Sequence, residues 1–185
     1  AAGASEDAGS DAACASRHLH LTGEPGSYVA FPGPDAPAPL VVELRVRLDP
    51  DGTVALMRHL PESPCGWTLR VTGDGVRATV TAAFDQDAEQ LMGTSSWRSV
   101  RWELAEDSVV LVDGVEVSRR PGGAMGACSG ETTLGTPPWG FPEWGHGDVD
   151  ALRIGSARWE FEEGFADESG VFPGSPVGSV VRACD

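Results

Sequence analysis

Apolar and polar residues alternate most cleanly over residues 40–48, where Val42, Leu44, Val46 and Leu48 fall on one side and Glu43, Arg45 and Arg47 on the other. A two-residue period sends successive side chains to opposite faces of an extended chain, so the segment predicts a strand with one face buried. The same alternation runs over residues 97–104, with Val100, Trp102 and Leu104 facing one way and Ser99, Arg101 and Glu103 the other. Glu106-Asp107 interrupts it, residues 108–112 form a new apolar run, and residues 115–118 alternate again after Asp113-Gly114. Asp-Gly between β-branched runs predicts a type I′ hairpin, since both central residues must take positive φ. Strands so close in sequence are antiparallel, because a parallel pair needs a long crossover.

Residues 66–72 and 76–83 flank Gly73-Asp-Gly75 as a second hairpin, with inward rows Trp67, Leu69, Val71 and Val76, Ala78, Val80. Further short strands are expected at 17–22, 27–31, 53–60, 132–135, 147–156, 158–161 and 179–182. Pro32, Pro34, Pro37 and Pro39 make that segment loop, because proline cannot donate to a ladder. Residues 49–52, 85–89 and 121–126 read as turn or polar loop. No window repeats with a helical period. About a dozen short strands separated by turn signals predict an all-β, two-sheet antiparallel sandwich.

Composition narrows the partners. A formal net charge of −15 opposes nucleic-acid binding, which draws affinity from neutralised phosphates, and repels anionic membrane surfaces. No stretch approaches the roughly 20 apolar residues of a membrane helix. All 13 basic residues are Arg, and Lys and Asn are absent, a bias that fits a GC-rich bacterial genome. The 185 residues suit a single domain over 16–185. Residues 1–13 contain only Ala, Gly, Ser, Asp and Glu, so residues 1–15 are expected to be a flexible acidic leader. The chain starts at Ala1 without Met and is read as processed or truncated. The leader resembles the spacer behind the lipidated cysteine of bacterial surface lipoproteins, which would tether the domain outside the cell.

Cys14, Cys65, Cys128 and Cys184 show no C-x-x-C spacing of a zinc or redox site. Their even number and scatter predict two disulfides and an oxidising compartment. Three pairings are open; Cys14–Cys184 with Cys65–Cys128 is favoured, because the first pair brackets the domain and chain ends often lie together.

The strands also carry a family resemblance. In order come Val42-Glu43-Leu44, Gly66-Trp67 with Leu69, Trp97 with Val100, Leu111-Val-Asp-Gly-Val115, Leu134-Gly135 and Gly147-Asp-Val-Asp-Ala-Leu-Arg-Ile154. This series resembles the laminin-G-like, concanavalin A-like family over roughly residues 17–163. The resemblance implies a two-sheet jelly-roll β-sandwich with binding loops on its rim, and it casts Trp97, Asp113 and Gly114 as fold determinants. Leu111 replaces the usual aromatic, and Ala151 stands where an acidic residue is usual, so any role of that position is lost. It also implies a calcium site at a loop rim. Asp85, Asp87 and Glu89 are the candidate ligands, with Asp49 and Asp51 as a second set.

No catalytic constellation emerges. The related glycosidases set paired carboxylates on one strand in an E-x-D-x-x-E pattern, which residues 85–89 do not reproduce. Glu160, Glu162 and Glu163 have suitable side chains but sit near the domain's end, and there is no Gly-x-Ser-x-Gly elbow. Binding is better represented. Trp139, Phe141, Trp144 and His146 lie in a Pro- and Gly-rich stretch where aromatics can stack on sugars or anchor a protein. His18 and His20 read as surface strand residues, and Arg119-Arg120 as a solvated hairpin end. The expectation is a secreted or surface-tethered bacterial recognition module, not an enzyme, binding a glycan or extracellular protein through rim loops. It needs no cofactor beyond calcium. A self-assembling extracellular subunit is the alternative, and a glycoside hydrolase the third reading.

Overall fold

The computed structural model describes residues 16–32, 39–58, 66–80, 84–89, 95–122, 130–137, 145–162 and 164–184, the side chains of Phe84 and Asp85 excepted. Fifteen strands run through them. In chain order they are β1 (Arg17–Thr22), β2 (Tyr28–Pro32), β3 (Leu40–Arg47), β4 (Thr53–Arg58), β5 (Trp67–Thr72), β6 (Gly75–Val80), β7 (Phe84–Glu89) and β8 (Arg98–Leu104). They continue as β9 (Asp107–Val112), β10 (Val115–Pro121), β11 (Glu131–Gly135), β12 (Gly145–Ile154), β13 (Ala157–Glu160), β14 (Ser175–Val177) and β15 (Val181–Cys184). Among the described residues there is no helix, and so none long and apolar enough to cross a membrane.

Every pairing is antiparallel. The front sheet runs β15-β1-β12-β3-β8-β9-β10, with β13 returning beside the later part of β12. The back sheet runs β14-β2-β11-β4-β5-β6-β7. They join where β12 starts, because Gly145 and His146 pair with β4 before the strand moves onto β3. Gly147 sits at that changeover with φ 146°, and a Cβ there would meet Arg47 O and Val54 Cγ2 at 3.1 Å. Only glycine fits such a crossing.

Alternation does the rest. The rows Val42, Leu44, Val46 and Val100, Trp102, Leu104 are buried, as are Trp67, Leu69, Val71 and Val76, Ala78, Val80. The two sheets touch through Trp67 and Trp102, whose ring centroids are 5.8 Å apart. A second aromatic group, Phe31, Trp159 and Phe161, fills the other part of the core. Burying one such side chain contributes about 1.5–3 kcal/mol, the main favourable term in the fold. Asp113 and Gly114 take φ 50° and 78°, as the type I′ hairpin between β9 and β10 requires.

Four expectations are corrected. Residues 85–89 form most of strand β7, not a loop: Gln86 and Ala88 face the core, and Arg77 on β6 stands opposite Asp87. Gln86, fully buried, donates to Ser108 O (3.2 Å) and Ser118 Oγ (2.9 Å), and its carbonyl accepts from Ser108 Oγ. Trp102 Nε1 donates to the same Ser108 hydroxyl at 2.8 Å, so one polar knot ties the free edges of the two sheets. The alternation expected over 115–118 is broken by a bulge between Glu116 and Ser118, leaving Val115 exposed on an edge strand. Pro32, expected in loop, ends strand β2 opposite Glu131. Arg119 is not simply solvated: it forks onto Glu116 (3.0 and 2.7 Å) and reaches Asp107 at 2.6 Å.

Candidate binding face

The outward side of the front sheet carries a network of paired charges. Strand register places Glu43 and Arg45 of β3 opposite Arg101 and Ser99 of β8, and Trp97, just before β8, lies against Arg47. On the other flank of β3, Asp148 stands opposite Arg47, Ala151 opposite Arg45 and Arg153 opposite Glu43. A bulge between Val149 and Ala151 supplies the extra residue, Asp150. It lets Asp148, Asp150 and Ala151 all serve one face. Beyond β12, His20 of β1 faces Asp148, and Arg158 of β13 faces Arg153.

Asp148 is the hub. It is 6 % exposed, and a carboxylate so buried requires partners. His20 Nδ1 lies 2.8 Å from Oδ1, Arg47 Nε donates to Oδ2 at 2.9 Å, and His18 Nε2 stands 3.4 Å from Oδ1. Next to it Arg45 holds Asp150 at 2.5 Å. His18 is therefore not a surface residue; it is 2 % exposed, with the Trp97 ring edge-on to it at 5.4 Å.

Trp97 is half-buried, with Arg47 4.7 Å and Arg45 5.4 Å from its ring centroid. These are cation–π distances. Trp97, one residue before β8, shares the parity of Ser99 and Arg101 and stands on the side of Arg45 and Arg47. The parity of β8 was the signal for this. From that row a trough of about 420 Å³ opens across the sheet, lined by Glu43, Arg45, Ser99, Arg101, Arg153 and Arg158 with Ala151.

The chain can now be set beside known proteins. No protein-family model matches it, and no curated protein sequence does so. Solved structures do. It is similar to a putative carbohydrate binding protein from Bacteroides ovatus, with TM-score 0.69 and 12% identity over 93% of this chain and 60% of that one. It is similar to domains LG4-5 of the mouse laminin alpha1 chain, with TM-score 0.68 and 14% identity over 95% of this chain and 49% of that one. A pentraxin from Limulus polyphemus, described as SAP-like, matches with TM-score 0.59 and 14% identity over 75% of each chain. The fold is the concanavalin A-like, laminin-G-like jelly roll. This chain spans about 60% of the Bacteroides chain and about half of the laminin pair.

Within this jelly roll the sequence-derived candidates scatter. Trp139, Phe141 and Trp144 lie outside the described residues. His146 is exposed at the sheet crossing, its Nε2 3.2 Å from Asp49 Oδ2. Asp85, Asp87 and Glu89 lie on edge strand β7, with Asp87 and Glu89 exposed. Both Asp87 oxygens are taken by Arg77, at 2.6 and 3.0 Å. That hydrogen-bonded guanidinium holds the Asp87 carboxyl below the usual carboxylate range. Among the described residues no three His, Cys, Asp or Glu side chains converge as a metal site. Cys184 is disulfide-bonded and lies opposite Arg17; Cys14, Cys65 and Cys128 fall outside the described residues.

Proposed function

We propose that this jelly roll is a secreted or surface-tethered, non-catalytic recognition module that binds a glycan across the outward face of its front sheet. The reading rests on one observation: Arg45, which lines the trough with Ser99 and Arg101, also lies 5.4 Å from the ring centroid of the half-buried Trp97. An aromatic face suits the apolar side of a sugar ring, and fixed donors beside it suit the hydroxyls. The neighbouring carboxylates Glu43, Glu103, Asp148, Asp150 and Glu160 are each held by an arginine. That arrangement favours fixed hydrogen bonding over the proton transfers of glycosidic cleavage. The aromatic loop of Trp139, Phe141 and Trp144 joins the proposal through its sequence alone.

The disulfide at Cys184 supports an oxidising, extracellular setting. The pairing of β15 with β1 puts it next to Arg17, three positions after Cys14, which supports the Cys14–Cys184 bridge. Mass spectrometry of unreduced peptides tests the link. A calcium ion at Asp85, Asp87 and Glu89 would require Arg77 to give way, and a melting temperature unmoved by calcium or chelator removes it.

The deciding experiment is a glycan array with the full chain and its Trp97→Ala variant, checked for an unchanged β-sheet circular dichroism spectrum. Binding lost at least about tenfold in the variant is expected, since losing a stacked aromatic costs over 1 kcal/mol. Silence of the parent on the array sinks the reading. So does a variant that binds as well as the parent, which would move the site to the aromatic loop or to a protein partner.

A further inference from the structure

Four of the chain's 13 arginines line the trough, against one carboxylate, in a protein of formal charge −15. The register explains how they meet. One row runs across the sheet from Arg158 on β13 through Arg153 on β12 and Glu43 on β3 to Arg101 on β8. Arg153 and Arg158 are therefore directly opposite across an antiparallel pair, a placement that like charges disfavour. The next row holds Ala151, Arg45 and Ser99, so two short side chains open the hollow beside the cationic row.

The counter-charges sit unevenly. Arg158 has Glu160 at 2.6 Å and Glu168 at 3.4 Å, Arg101 has Glu103 at 2.7 Å, and Arg45 has Asp150 at 2.5 Å; none of these carboxylates lines the trough. Glu43, which does, stands 3.5 Å from Arg101. Arg153 makes no carboxylate contact among the described residues; its Nε donates to Gly155 O at 3.0 Å. Ala151 matters here, because an acidic side chain at that position would place a further negative charge in the trough.

We infer that the trough takes a carboxylate-bearing sugar, a uronic acid unit within a short oligosaccharide, with Arg153 and Arg158 gripping the carboxylate. The inference rests on the glycan reading above and adds the ligand's charge class. Guanidinium forks match carboxylate oxygens in two-point hydrogen bonds, and the bound anion relieves the Arg153–Arg158 repulsion. The volume falls within the usual range for small-ligand clefts. The chain's net negative charge disfavours long polyanions, so a short segment is the occupant.

The test is calorimetric titration of the full chain with a tetra-galacturonate, its neutral methyl ester and a sulfated neutral tetrasaccharide, repeated with Arg153→Gln/Arg158→Gln. The parent is expected to bind the uronate at least about tenfold more tightly than the ester, with affinity falling as salt rises. The double variant is expected to lose that preference while its melting temperature changes little, since the Arg158 ion pairs it removes are exposed. Equal binding of uronate and ester overturns the charge class and leaves the glycan reading standing. Preference for the sulfated sugar overturns the carboxylate assignment alone. A variant that keeps the uronate preference overturns the trough as its seat, and failure of all three sugars with a positive glycan array overturns only this inference.

Discussion

In the front-sheet trough four arginines meet one carboxylate, whereas the hollow on the outward side of β5, β6 and β7 sets Arg70 and Arg77 against Asp74, Asp87 and Glu89. The two are built alike. Each places small residues beside a row of long side chains, Gly75 in one and Ala151 and Ser99 in the other, giving about 270 and 420 Å³. Each even contains an arginine pair directly opposite, Arg70 with Arg77 and Arg153 with Arg158. A like-charged pair does not by itself make an anion site. On the back sheet Asp87 follows in the same row and accepts both forks of Arg77, so the charge is spent internally. On the front sheet the row continues to Glu43, 3.5 Å from Arg101, and Arg153 is left with no carboxylate contact among the described residues. Period-two strands offer the same scaffold on both faces, and the placement of a few carboxylates separates a candidate site from an ordinary solvated surface.

Removing the front face's buried hub should have the largest effect. Asp148→Ala leaves Arg47 and two histidines facing a lost counter-charge. Urea unfolding should show a loss of about 2–3 kcal/mol, below that of a fully buried pair because Arg47 is partly solvated. Second comes the knot joining the free sheet edges: Gln86→Ala should cost about 1–2 kcal/mol by the same measurement, from buried groups left unsatisfied. On the back face Asp87→Asn should cost less than about 1 kcal/mol, since the Arg77 pair is exposed. Equal losses for Asp148 and Asp87 would erase the contrast between the faces.

The smallest effect concerns acid. Burial raises the Asp167 carboxyl, but hydrogen bonds from Ser169 Oγ and the backbone N–H groups of Phe172, Ser169 and Val171 outweigh it, and the net shift is down from 3.8. A depressed carboxyl stabilises the fold fully above its ordinary value and loses that contribution as pH falls through its lower folded value. Asp87 is shifted the same way, by Arg77. NMR titration should therefore show both groups still ionised at 3.8, with the segment around Asp167 loosening only at lower pH. Loosening that starts well above 3.8 would contradict the sign.

Much of the frame was legible along the chain. The rows around Leu44, Trp102, Leu69 and Ala78 follow from alternation, and the Asp113-Gly114 turn from its need for positive φ. Residues 85–89 misled because three acids among five residues resemble a loop; the arginine that makes them tolerable in a strand sits on β6. His18 misled differently. It alternates with core leucines and so belongs to the outward row, but it lies buried against Trp97 and beside Asp148, residues remote in the chain. The resemblance carried by Gly147 to Ile154 pointed to the right fold, yet the consequence of Ala151 needed its neighbours.

Which residues face inward is a local property, written in a two-residue period and in the turn residues that end each strand, and the amino-acid order alone determined it. Which outward residues become neighbours was decided by the pairing of strands far apart in the chain. Arg45 reaches Asp150 across 105 positions, and Arg101 joins Arg153 in one row only because β3 lies between β8 and β12. Strand order is set by how whole faces pack into a shared core, a collective outcome that no single segment's pattern contains.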